Sequence, residues 1–208
     1  MTQLALTLPT APVAVPAPAG AGPAPLVIGL DVALVLTGVA GPGWTDYVNS
    51  KTRRGEERLD YVLHQLQSFY RHADFVVIEG PSFGSALQAG HDEMAAMRWM
   101  VRVDLWKRRI PYAVCPPVSR TKFALGTSQP KDPQTGKRLV AKQAKAAVAD
   151  AVAEQYGIEC EGRARYDQAD AYVLMAMGRA HLGHPLAALP ATHTRALAGI
   201  TWPERTTS

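Results

Sequence analysis

Four carboxylates in this chain stand where an apolar core would exclude them. Asp31 is the only charged residue between Met1 and Ala40 and lies inside the first apolar run. Glu79 closes Phe75–Ile78, the most hydrophobic of the short runs. Asp167 and Asp170 are three apart, so on a helix they share one face. That face continues through Ala171, Leu174, Met175, Gly178 and Leu182, the stripe expected to be buried. A buried carboxylate costs several kcal/mol unless it is paired or coordinates a metal. Singly, each has an ordinary explanation: Asp31 and Glu79 could open turns, and Asp167 could cap a helix. As a set they are harder to dismiss, because no basic residue falls within the same apolar segments. An all-oxygen donor set without His or Cys suits Mg²⁺ or Mn²⁺. Two such ions about 4 Å apart clamp the attacking and leaving oxygens of a phosphodiester.

The elements that must position these acids follow from periodicity. Leu26–Leu30, Leu34–Ala40 and Thr45–Asn49, with Gly41-Pro42-Gly43 between the last two, predict an antiparallel three-strand meander. Leu59, Val62, Leu63, Leu66, Phe69 and Tyr70 recur at helical spacing within 55–72. Phe75–Ile78 and Tyr112–Cys115 predict short buried strands, each stopped by proline. Helices are expected over about 91–109, 119–125, 140–156 and 167–182, with a polar loop over 126–138. Strands in a meander followed by alternating helix and strand give an α/β domain with a mixed sheet.

Composition narrows the class. Of 208 residues, 47% are hydrophobic and 19% charged, the balance of a globular chain. The first 25 residues hold six Pro, seven Ala and no Asp, Glu, Lys or Arg. They are expected to form a disordered tail before a domain over 26–184, with a second tail over 185–208. No run approaches the roughly 18 apolar residues of a membrane span, and no secretory signal is expected. Cys115 and Cys160 have no second thiol nearby, which excludes a disulfide framework and a cysteine zinc site. The expected location is the cytoplasm.

The formal charge of +4 is unevenly spread. Residues 98–109 and 120–145 together hold twelve basic against two acidic side chains; the rest holds ten against sixteen. Segregated charge points to a polyanionic partner, although solvated helix faces give the same pattern. His181 and His184 precede Pro185 and are expected at a solvated helix end. No nucleophile elbow or Walker-type phosphate loop is present. Pro81 removes an amide that a phosphate cradle at 80–84 would use.

Ile28-Gly29-Leu30-Asp31 with Leu34 and Thr37-Gly38 resembles the first motif of the RuvC-type Holliday junction resolvases, of the ribonuclease H-like superfamily. Val76-Val77-Ile78-Glu79 resembles their second acidic strand, and Asp167-Gln168-Ala169-Asp170-Ala171 the closing helix. Pro116-Pro117, Lys122, Gly126 and Lys142-Gln143 are similar to the basic segment. The resemblance covers roughly 26–184. It departs after Asp31, where 32–36 are wholly apolar, and in a longer 126–142 interval.

The resemblance implies a ribonuclease H-like fold and a metal-dependent endonuclease. Such an enzyme would act as a homodimer, nicking opposed strands of a four-way DNA junction in recombination and repair. Asp31, Glu79, Asp167 and Asp170 would hold two Mg²⁺ or Mn²⁺ ions per site, with no small-molecule cofactor. Lys122 and Lys142 would meet phosphates near the scissile bond, with Lys145 the alternative to Lys142, Arg120 a further DNA contact and Phe83 a stacking residue. The host would be a bacterium or its phage. Replication forks, flaps or RNA–DNA hybrids are alternative substrates. A branched-DNA binder that does not cut and an actin-like nucleotide-binding protein are the other classes. The helix over 91–109, rich in Met and Trp, is the expected dimer contact.

Overall fold

The computed structural model describes residues 23–82 and 90–204. The first 22 residues of the Ala/Pro-rich segment, and Phe83, lie outside the described residues. The meander forms as β1 (Val27–Asp31), β2 (Leu36–Gly41) and β3 (Trp44–Asn49). Gly43 turns the chain between β2 and β3 at φ 81°, a conformation glycine adopts without steric cost. Helix α1 (Gly55–Tyr70) leads to β4 (Phe75–Glu79), then α2 (His91–Lys107) to β5 (Tyr112–Cys115). Helices α3 (Pro117–Leu125), α4 (Ala141–Tyr156) and α5 (Arg165–His181) follow, then α6 (Ala191–Thr194) and a 3₁₀ helix over Arg195–Gly199.

The sheet order is β3-β2-β1-β4-β5. β1 pairs antiparallel with β2 and parallel with β4, and β4 pairs parallel with β5. Side chains alternate across a strand, and both faces of this sheet are covered. Ile28, Leu30, Val76 and Ile78 pack with Val62, Leu66 and Tyr70 of α1 and Met97, Val101 and Leu105 of α2. Val27, Phe75, Val77, Ala113 and Cys115 pack on the other face with α3, α4 and α5. The period of two therefore turns Asp31 and Glu79 toward the α5 face.

Helix α5 is more central than its sequence stripe suggests, since every residue from Gln168 to Gly178 is buried. It lies between the sheet and helices α3 and α4, so its back also meets protein. The segment after 184 differs from the expected tail. Ala196 and Ile200 are buried in the α5-side core. Trp202 stacks on His181 with ring centroids 4.0 Å apart, so one face of the His181 ring is covered and the residue is half-buried. Burial of these apolar groups explains why residues 191–202 fold back onto α3 and α5. Among the described residues no helix is long and apolar enough to cross a membrane.

Candidate functional site

Three structural devices bring the acids together. Parallel pairing of β1 with β4, in register from Val27↔Phe75 to Leu30↔Ile78, carries Asp31 and Glu79 side by side at the strand ends. The first turns of α5 cross above them because two strand glycines let backbone meet backbone. A Cβ on Gly29 would lie 2.0 Å from the Ala171 carbonyl oxygen, and one on Gly38 1.9 Å from that of Asp167. Helical spacing then turns Asp170 inward and Asp167 toward the rim. Asp31 and Asp170 are 6% and 1% exposed; the side chains of Glu79 and Asp167 retain 15% and 20%.

The third device is Arg120. Helix α3 begins directly after β5, with Pro117 in its first turn, so Arg120 sits one turn above the sheet end. Its Nη1 lies 3.2 Å from Glu79 Oε1 and pairs with Asp170 Oδ2. Arg120 is 8% exposed and is therefore part of the acidic cluster, not an exposed DNA contact. Lys122, two residues on, points roughly 200° away around the helix. It lines a separate cavity of about 230 Å³ with Val118, Ser119, Ser128 and Arg195. Lys145 of α4 reaches the rim, its Nζ 3.8 Å from Asp167 Oδ1. Lys142 is exposed one turn earlier, where the Gln143 side chain accepts the Val140 N–H at 3.1 Å to start α4.

Crowded carboxylates raise one another's proton affinity. Burial first, then the charges of Glu79 and Asp170 and the close approach of the Glu79 side chain, push Asp31 well above its ordinary value, with Arg120 opposing. Burial raises Asp170 to about 6 against the pull of Arg120. Burial also raises Asp167, with Lys145 opposing. For Arg120, burial alone would lower the guanidinium, but Asp170, Glu79 and Asp31 together hold it above its usual value.

Whether a divalent cation fits is decided by the donors. Asp170 Oδ1 is buried without a hydrogen-bond partner, Glu79 Oε1 has only its ion-pair contact with Arg120, and an all-carboxylate set suits a hard cation. As placed, no group of three or more His, Cys, Asp or Glu among the described residues is arranged to hold an ion. Arg120 lies against Glu79 and Asp170 instead. The donor types fit; their present spacing accommodates a guanidinium.

No protein-family model matches the sequence, and no curated protein matches it. Solved structures do. Thermus thermophilus RuvC superposes with a TM-score of 0.55 at 16% identity, over 76% of this chain and 97% of that one. T. thermophilus RuvC in complex with Holliday junction substrate gives 0.53 at 15% identity over the same shares. The chain has the RuvC-type resolvase fold. Within the RuvC-type fold, sequence reasoning missed Arg120 as the cluster's cation, because it sought a neutralising residue in the same apolar segments. The signal lay in Pro116-Pro117, which starts a helix at the sheet's edge and puts Arg120 a turn later.

Proposed function

We propose that this protein is a structure-selective DNA endonuclease that resolves four-way junctions by paired, symmetric nicks. The observation that supports this most is the gathering of Asp31, Glu79, Asp167 and Asp170 at one end of a RuvC-type sheet, although they span 31 to 170 in sequence. Asp31, Glu79 and Asp170 would hold the divalent cations, with Asp167 completing the set from the rim. Mg²⁺ or Mn²⁺, when bound, supplies a Lewis acid for the phosphodiester and a more acidic water. The chain's own part is to place the carboxylates on rigid elements, shield them from solvent, and keep Lys145 and Lys142 near the rim, with Lys122 farther off at a separate cavity, to draw in phosphates.

Two cuts related by two-fold symmetry require two sites, and one chain provides one. A second copy is therefore the proposed partner. Trp99, Val103 and Trp106 of α2 are 57%, 41% and 72% exposed, a row spaced as i, i+4, i+7 on one helix face. Met and Trp are enriched in interface cores.

A second reading, a branched-DNA binder that does not cut, is favoured by one feature: Arg120 already neutralises part of the acidic cluster. Incubating the protein with four-way, forked and linear DNA plus Mg²⁺, and resolving the products on a denaturing gel, separates the readings. Paired nicks confined to the four-way junction are expected. Junction binding without nicks would support the second reading, and cutting of forks alone would move the substrate.

A further inference from the structure

A structural ion pair in a core normally has its donors and acceptors satisfied. The Arg120 pair does not. Arg120 is nine-tenths buried and in contact with two carboxylates. Yet Arg120 Nε and Asp170 Oδ1 have no hydrogen-bond partner, and Glu79 Oε1 has only its 3.2 Å ion-pair contact with Arg120 Nη1. The donors are outnumbered as well: one guanidinium faces three carboxyl groups, those of Asp170, Glu79 and Asp31. A planar fork serves one carboxylate bidentately and cannot saturate three. A divalent cation carries twice the charge and takes six or more oxygens from any direction.

We propose that Arg120 is an exchangeable internal counter-ion. Without metal, its guanidinium holds Asp31, Glu79 and Asp170 together; a divalent cation takes its place, and the side chain leaves the cluster. The inference rests on the metal-site reading above and adds a competitor within the chain. Apparent metal affinity is then the intrinsic affinity multiplied by the fraction of molecules in which Arg120 is withdrawn. This also explains how the donor types suit a cation while their spacing suits a guanidinium.

The test uses the full chain and Mn²⁺ alone. In isothermal titration, Arg120→Met is expected to bind Mn²⁺ about tenfold more tightly than wild type, the gain if the withdrawn state is roughly a tenth of the population. In thermal denaturation the variant is expected to melt below wild type in chelator and to gain more from Mn²⁺. Equal or weaker Mn²⁺ binding by the folded variant overturns the inference. If Arg120→Met does not fold, the wild type still decides. Its Arg120 Nε–H resonance, assigned by its loss in Arg120→Lys, is expected to lose solvent protection as Mg²⁺ is added. A resonance that stays protected at saturating Mg²⁺ overturns the exchange. Absence of Mn²⁺ and Mg²⁺ binding by wild type would instead remove the metal site itself, a result distinct from binding that ignores Arg120.

Discussion

A Cβ on Gly38 would sit 1.9 Å from the carbonyl oxygen of Asp167, so β2 and the first turn of α5 are in backbone contact. The spacing between strand and helix that sets the acids over Asp31 leaves no room for even a methyl group. Gly38→Ala must therefore push α5 outward. Overpacking of this kind costs about 1–3 kcal/mol, and for a chain of this size each kcal/mol lowers the thermal midpoint by roughly 2–4 °C. We expect a lower midpoint by calorimetry together with loss of nicking. Wild-type values for both would show that α5 can slide without disturbing the acids.

Asp31→Asn keeps the shape of the side chain and removes a negative charge from the cluster. Cleavage should fall below detection, while junction binding in a gel-shift assay stays equal or tightens, because less negative charge repels phosphate. Near wild-type cleavage at saturating Mg²⁺ would rule Asp31 out as a ligand.

The buried acids give metal-free protein a pH dependence of defined sign. Asp170 rises from its ordinary 3.8 to about 6 on folding, so the native state binds its proton more tightly than the unfolded state. Stability from this group is fully present only below about pH 4 and is lost as pH climbs through 6. Asp31 acts in the same direction. Asp104 has the opposite sign: burial raises it, but hydrogen bonds from Arg108, Tyr70 and Gln67 bring it below its ordinary value. The comparison must therefore be between variant and wild type. In chelator, Asp170→Asn should flatten the decline in denaturant midpoint between about pH 4 and 6. Parallel curves for the two proteins would contradict the raised value.

Lys142→Ala and Lys122→Ala should each weaken junction binding and reduce the slope of log K against log salt by about 0.9, one phosphate contact apiece. Lys145→Ala should do the same and also free Asp167 from the cation beside it, Lys145 Nζ at 3.8 Å. A salt series with unchanged slope would return that lysine to a solvated face.

Light scattering at micromolar concentration should give about twice the mass of 22.4 kDa, and Trp106→Glu should shift it toward the monomer. A monomer with and without junction DNA would remove the α2 interface and favour a single-nick enzyme.

Local pattern carried a good deal of this structure. Continuous apolar runs set β1 and β4, and each run ends on its acid, Asp31 or Glu79. The three-residue spacing of Asp167 and Asp170 put both at the start of one helix. Such properties depend on neighbours in sequence and survive reading one segment at a time. Three others do not. The height of α5 above the sheet is decided by Gly29 and Gly38 meeting Ala171 and Asp167, a contact between segments more than a hundred residues apart. The burial of Ala196, Ile200 and Trp202 depends on a surface that α3 and α5 create together. The cation inside the acidic cluster is Arg120 rather than an exposed lysine, because α3 starts at the sheet's edge and its pitch turns residue 120 inward and residue 122 away. Sequence determines which groups a segment can present. Only tertiary packing decides which distant group meets them, since that choice follows from the summed burial of whole helices on the sheet.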